Sequence, residues 1–449
     1  MGGKPTGHIL ALLLSACVGL ANSPLCAQSQ SASPQPARDL RADLVEEDDE
    51  TTDYDVELAS AALAMQPRPT AGAPSLSTRG ATAPAPSRSA RPSMNRLASA
   101  PDMFGDFFMS GGTLNFRQND QSANGLPPTA GSFTVPSAGG SRRVKISENN
   151  KAMPDDRLIF SYNHFENALQ FTETPLLNPA ATITQTLPID RYTIGIEKTF
   201  FEGLWSCEVR MPFQGSFGFQ SPDLTGAGGT IGNLAVIIKR LVVEDDDFAV
   251  VAGMGIDIPT GSDFTLIDTS GSPPFQPTRF TFHNDSLHLL PYAGFLVAAE
   301  DRPYFINGFI QVDVATGGNR IDAGPVNGPA NTLGLFTEQN LLFVDLGTGF
   351  WLFRDDVEDG GLSSLAAILE FHYTTSLQDT DVVNATVQGR PISYRNNFNR
   401  FDVVNITTGV QAQLFDNTSV RVAGVFPLGS ADDERFFDSE LQVQINRKF

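Results

Sequence analysis

From about Arg157 onward the chain breaks into segments of about ten residues that alternate apolar with polar, and the links between them alternate long with short. This double rhythm limits the fold more than any motif does. The segments are 158–165, 191–200, 204–213, 233–243, 248–258, 289–299, 304–314, 341–353, 364–373, 403–415, 419–426 and a last one from about Phe437. In the third, Trp205, Cys207, Val209, Met211 and Phe213 share one face while Ser206, Glu208, Arg210 and Pro212 share the other. That period of two belongs to strands with one apolar and one wet face.

A β-sandwich would show the same alternation, so the connections decide. Tight links fall at Glu202-Gly203, Glu244–Asp247, Glu300–Arg302 and Asp416-Asn417, with a shorter acidic one around Asp355 to Gly360. Long links follow Phe165 and Gln214 and fill 263–286, 317–339 and 375–400. Short turns on one rim and long loops on the other are the mark of an outer-membrane barrel. The expected fold is all-β, a transmembrane antiparallel up-and-down β-barrel of about twelve strands with a disordered N-terminal extension. Pro followed by Gly-Ser closes three outgoing strands, at Pro212, Pro259 and Pro427, where a missing donor stops the ladder.

The terminal stretch LQVQINRKF places Leu441, Val443, Ile445, Arg447 and Phe449 on one side and Gln442, Gln444, Asn446 and Lys448 on the other. An exposed strand edge is an aggregation hazard, and pairing with the strand near Leu158 removes it by closing the barrel. With an even strand count both ends lie on the short-turn rim, which faces the periplasm in such proteins. Phe200, Trp205, Tyr304, Trp351, Phe353, Phe415 and Phe449 gather at that rim, where an aromatic belt is expected.

Ahead of the strands lies different material. A helix-length apolar run occurs only at Ile9–Leu20, after Lys4 and His8, and reads as a secretory signal over 1–27 cut near Ala27. Leu14-Ser15-Ala16-Cys17 also resembles a lipobox, which would make Cys17 a lipidated first residue. With a cut at Ala27 only Cys207 of three cysteines remains, leaving no intrachain disulfide. Residues 28–101, rich in Ser, Pro and Ala, carry too little apolar surface to fold and are expected to be a disordered periplasmic segment. The segment 102–144 opens on the aromatic cluster Met103–Met109 and is read as a plug or anchor, or as a first packing element; 145–449 is assigned to the barrel.

The hairpin GNLAVIIKRLVVEDDDFAVVAGMGIDIPTGS, 232–262, resembles the repeating hairpin of outer-membrane barrels of the meta-pathway phenol-degradation family. LQVQINRKF is similar to the C-terminal signal read by the barrel-assembly machinery, carried here by Leu441, Val443, Ile445 and Phe449. The resemblance spans about 145 to 449 and implies passage of small, hydrophobic or aromatic solutes; it carries over no catalytic residue.

With the apolar faces toward lipid, the lumen receives Glu197, Glu208, Arg210, Lys239, Asp257, Asp313, Asp345 and Glu370, together with His372. Six acids against two bases point either to a lumen that disfavours anions or to charges that pair and fill it. An excess of 51 acidic over 30 basic residues, net −21, argues against a nucleic-acid partner. No Cys/His metal spacing or phosphate loop is present, so no cofactor or metal is expected. Ser/His catalysis would have to come from His164, His283, His288 or His372; only His283-Asn284-Asp285-Ser286 groups the right side chains, and strand neighbours point to opposite faces. The expected function is thus a non-enzymatic channel for small solutes. The alternative is a structural barrel that presents its N-terminal arm to a periplasmic partner.

Overall fold

The computed structural model describes residues 96–449 apart from 108, 110, 118–128, 136–142, 176–178, 215–217, 221–223, 228–230, 270–275, 300–301, 355–360, 416 and 430–434. The expected signal peptide, Cys17 and the Ser/Pro/Ala-rich segment up to residue 95 lie outside these residues.

In chain order the strands are β1 (Gly112–Arg117), β2 (Thr129–Val135), β3 (Arg157–Pro175), β4 (Ile183–Phe200), β5 (Trp205–Gln214), β6 (Gly218–Gln220), β7 (Leu224–Ala227), β8 (Leu234–Asp245), β9 (Phe248–Ile258), β10 (Phe264–Asp268) and β11 (Thr278–Phe282). They continue as β12 (His288–Val297), β13 (Tyr304–Ala315), β14 (Gly318–Pro325), β15 (Asn331–Thr337), β16 (Leu341–Arg354), β17 (Leu362–Ser376), β18 (Val382–Val387), β19 (Arg390–Arg395), β20 (Asp402–Leu414), β21 (Thr418–Pro427) and β22 (Ser439–Lys448). The order β3-β22-β21-β20-β17-β16-β13-β12-β9-β8-β5-β4, with β4 returning to β3, is a closed antiparallel barrel of 12 strands. Closure follows the register Leu158↔Arg447, Phe160↔Ile445 and Tyr162↔Val443, so the terminal strand has no free edge.

Alternation sorts the two faces of the wall. Along β5 every second residue is buried, beginning with Ser206, while Trp205, Cys207, Val209, Met211 and Phe213 are half-exposed. Leu158, Ile194, Ile196, Leu369, Phe371, Val422 and Leu441 are exposed on the outer surface. A soluble barrel would cover such a surface; a bilayer rewards leaving it apolar.

Three sequence expectations change. The first strand does not stop at Phe165: β3 runs to Pro175 across a register shift between Phe165 and Leu169. Asn167, with φ of 55°, takes the left-handed turn that shift needs, a conformation Asn tolerates better than most residues. Trp351 is not part of the rim belt but points inward, in step with Phe343 and Asp345 along β16; the register shift between Trp351 and Phe353 then reverses the parity and leaves Phe353 outside. Pro212 does not end its strand; it pairs with Thr193 inside β5 and faces inward.

The long links are also not simple loops. They supply a six-stranded sheet, β15-β14-β11-β10-β7-β6, while β18-β19-β1-β2 extends the barrel sheet beyond β3. Phe133, Phe171, Phe264, Phe280, Phe282, Phe336 and Tyr394 share one core there. Segments such as Phe264–Asp268 are too short for periodicity to separate from turns, so only their mutual packing reveals them.

Inside the wall lie two further segments, 97–107 with Met109, and 143–153. Arg96–Ser99 makes one helical turn with Leu97 buried, inside the stretch whose composition suggested disorder. Residues 143–153, of which 145–153 are assigned from sequence to the barrel and 143–144 to the plug or anchor, are surrounded by the wall instead of forming it. The two segments meet at an antiparallel bridge, Met103 N donating to Asn150 O at 2.7 Å.

Candidate functional site: the barrel interior

Many inward side chains of the wall are polar, and each polar group taken from water needs a partner. The inner segments supply those partners. Glu370 accepts from Phe104 N at 2.7 Å and Gly105 N at 3.2 Å. Gln311 accepts from Ile146 N at 2.7 Å and donates to Val144 O at 2.9 Å. Gln442 donates to Gly105 O at 2.8 Å and Gln444 to Phe104 O at 2.9 Å.

Arg421 is the centre of this contact. It donates to Met103 O, Asp102 O, Asn149 Oδ1 and Gln444 Oε1, and its guanidinium sits 4.1 Å from the Phe104 ring centroid. Phe104 itself fits because the wall carries glycine opposite: a Cβ on Gly409 would fall 2.8 Å from its ring. Gly105 turns the chain at φ 81°, where a side chain would strike the Glu148 backbone.

Three ionic clusters complete the interior. In the first, Lys145 pairs with Asp106 and lies 2.6 Å from Asp345, His372 Nδ1 lies 2.8 Å from Asp345, and His372 Nε2 lies 3.1 Å from Glu370. Asp106, Asp345 and His372 are close enough together to bind a metal ion, but the Lys145 ammonium already supplies the cation. In the second, Arg157 binds Asp102 at 2.9 Å, Glu197 at 2.7 Å and Glu208 at 3.4 Å; Lys239 reaches Glu197 at 2.9 Å, and Arg210 pairs with Glu208. In the third, Arg143 binds Asp313 at 2.6 Å and Glu338 at 3.1 Å, and His288 lies 2.6 Å from Asp313.

Glu197, Glu208, Arg210, Lys239, Asp257, Asp313, Asp345 and Glu370 are therefore all buried on inward faces. Seven of them enter the contacts above, and Asp257 stands in register with His288. The excess of acids read from the strands narrows. Arg143, Lys145 and Lys151 of the inner segments, with Arg157 and Arg421 of the wall, bring bases that the reading from alternation left out. The inner-segment bases sit in a stretch without period, so nothing in the sequence marked them as facing the lumen. The wall bases were open to the alternation argument: Arg421 is an inward position of β21, and Arg157 and Arg191 are inward positions of β3 and β4.

Cut-off from water makes these pairs mutually dependent. Removing one member of a buried ion pair costs about 3–5 kcal/mol because the other charge is stranded. The interior is thus tied to the wall by charge and by main-chain hydrogen bonds as well as by apolar contact, since Met103, Phe104 and Ile146 share one core with Ile237, Leu290 and Phe305.

Elsewhere, the His283 cluster forms no nucleophilic triad. His283 is held between Asp263 at 2.8 Å and Asp322 at 2.9 Å, while the Ser286 hydroxyl donates to Gly317 O. At the short-turn rim a cavity of ≈ 180 Å³ opens beside the inner segments, lined by Lys151, Asp155, Trp351, Arg354 and Lys448 among others.

The closed wall, apolar outside and polar within, defines a β-barrel of the outer-membrane type. No protein-family model matches the sequence, and no curated protein does. Among solved structures it is similar to the translocator domain of the autotransporter NalP from Neisseria meningitidis, at 8% identity and TM-score 0.41 over 65% of this chain and 88% of that one. The toluene transporter TodX from Pseudomonas putida is similar at 9% identity and TM-score 0.34, over 69% and 94%. The transport unit of AIDA-I from Escherichia coli is similar at 10% identity and TM-score 0.38, over 70% and 94%. At these values the likenesses carry no argument, and the barrel rests on its own strand pairing.

Proposed function

We propose that the protein is an outer-membrane channel for small, hydrophobic or aromatic solutes, closed in the state described by its inner segments. The observation that carries this reading is the closed wall with an apolar exterior and an interior filled by chain segments, which bond to inward polar side chains and pack their apolar side chains among inward wall residues such as Leu290 and Phe305. The barrel-assembly machinery would read Leu441, Val443, Ile445 and Phe449, three of which, Leu441, Ile445 and Phe449, are exposed on the outer surface, and the short-turn rim would face the periplasm. Passage requires the segments 97–107 and 143–153 to shift, since they bond to inward residues of β3, β13, β17, β21 and β22.

The filled interior also favours a second reading, a non-conducting barrel that presents its N-terminal arm to a periplasmic partner. Proteoliposomes carrying the full chain separate the two. Uptake of small neutral aromatic solutes above protein-free vesicles supports the channel, and vesicles that stay sealed support the anchor.

A further inference from the structure

The cavity at the short-turn rim is not explained by either reading. Its mouth holds an unusual sharing of charge. Lys151 Nζ and Lys448 Nζ both bind the same carboxylate oxygen, Asp155 Oδ2, at 3.1 and 2.7 Å, and both donate to the same carbonyl, Ala98 O, at 2.7 and 3.0 Å. An ammonium has three donors. Among the described residues each of these two makes only those contacts, so each keeps one N–H over, and two positive charges face one negative. The other acid lining the cavity, Asp102, is bound by Arg157 at 2.9 Å and by Asn446 at 2.9 Å.

One wall is apolar and flat. Arg354 lies with its guanidinium 5.0 Å from the Trp351 ring centroid, and both line the same cavity. A stacked Trp–Arg pair offers a planar surface that another ring can extend. Apart from Arg157, which is bound to Asp102, and Ala98 and Ala100, the remaining lining is neutral and polar, including Gln411, Gln413 and Ser419. For scale, a cavity of about 150 Å³ can hold benzene. At ≈ 180 Å³ this one has room for an aromatic ring with one carboxylate attached.

We infer that this cavity is a binding site for small aromatic carboxylates, with Lys151 and Lys448 taking the carboxylate and the Trp351–Arg354 pair taking the ring. The inference names a substrate class for the proposed channel and takes its physiological sense from that reading. The site is built by the inner segment and the wall together, because Lys151 and Asp155 come from the segment that enters β3 while Lys448 ends β22. Aromatic anions would therefore meet the inner segment at its foot.

The test uses the full chain in detergent, with sodium benzoate as the probe and benzyl alcohol as its uncharged counterpart, read by isothermal titration at low salt. Benzoate should bind saturably, and benzyl alcohol at least about tenfold more weakly, since a charge-assisted hydrogen bond is worth about 1.5–3 kcal/mol. Lys448→Gln, at a half-buried rim position, should weaken benzoate by about tenfold or more and leave benzyl alcohol unchanged. Retained heat-modifiable migration shows that the variant is folded. No saturable benzoate binding, equal binding of the two probes, or binding indifferent to Lys448→Gln overturns the site. Sealed proteoliposomes with benzoate binding intact would sink the channel and leave the site standing; leaky proteoliposomes without benzoate binding would do the reverse.

Discussion

Replacing Phe104 by alanine is the most direct probe of how the inner segments are held. The ring is fully buried, lies under the Arg421 guanidinium at 4.1 Å and rests against the glycine at 409. Truncating a buried phenylalanine costs about 3–5 kcal/mol, and the lost cation–π contact belongs within that figure, not on top of it. If the segment opens as a unit separate from the wall, a loss of about 3 kcal/mol raises its open population by about two orders of magnitude. Amide hydrogen exchange, followed by mass spectrometry in detergent, should then speed up by about that factor in 97–107 and 143–153. Strands β20 and β21, on whose inner faces Phe104 rests, should keep their protection, because their ladder bonds run to each other and to β17 and β22. Unchanged exchange in the inner segments would refute the reasoning. So would acceleration spread evenly through the wall, since the segments would then be part of one cooperative unit.

Further outcomes follow from single residues. Deleting Phe449, which is exposed at the rim with Lys198 5.1 Å from its ring centroid, should reduce the yield of heat-modifiable barrel in membranes far more than it alters conductance of any barrel that forms. Ile194→Arg puts a charge on the outward face between the rims and should lower unfolding free energy in lipid by about 2–4 kcal/mol, measured by urea titration in vesicles. In the outer sheet, burial alone would raise the Asp322 carboxyl, but the Thr332 hydroxyl and His283 hold it below the usual carboxylate range. A depressed carboxyl contributes stability that is fully present above the ordinary value of about 3.9 and is lost as pH falls through the lowered one. Proteolysis of 318–337 by an acid protease should therefore increase as pH falls below about 4, and Asp322→Asn should flatten that dependence.

Much of the wall was legible because a strand's information is local. Two residues suffice to define the period, and the twelve segments read from alternation correspond to the twelve strands of the ring, their ends displaced where a bulge intervenes. The bulges themselves escaped notice for the same reason. Alternation from Asp345 puts both Trp351 and Phe353 inside; the register shift between them turns Phe353 outward, and a shift is a property of two paired strands, not of one. The small strands of the outer sheet were missed because five residues of alternation are hard to distinguish from a turn.

Sequence alone therefore determined the class of the chain: an all-β barrel, its strand count, its two rims and eight of the charged residues on its inward faces. Only the tertiary structure decided what those charges do. Met103–Met109 announced itself as an apolar cluster, but nothing in residues 143–153 did, since a segment surrounded by the wall, with polar and apolar partners on different sides, needs no periodicity of its own. Its bonds reach strands far away in the chain, as Phe104 does to Glu370 across 266 positions. Such pairings are fixed by closure of the wall, which brings distant strands to one small interior where every buried charge has to find a partner.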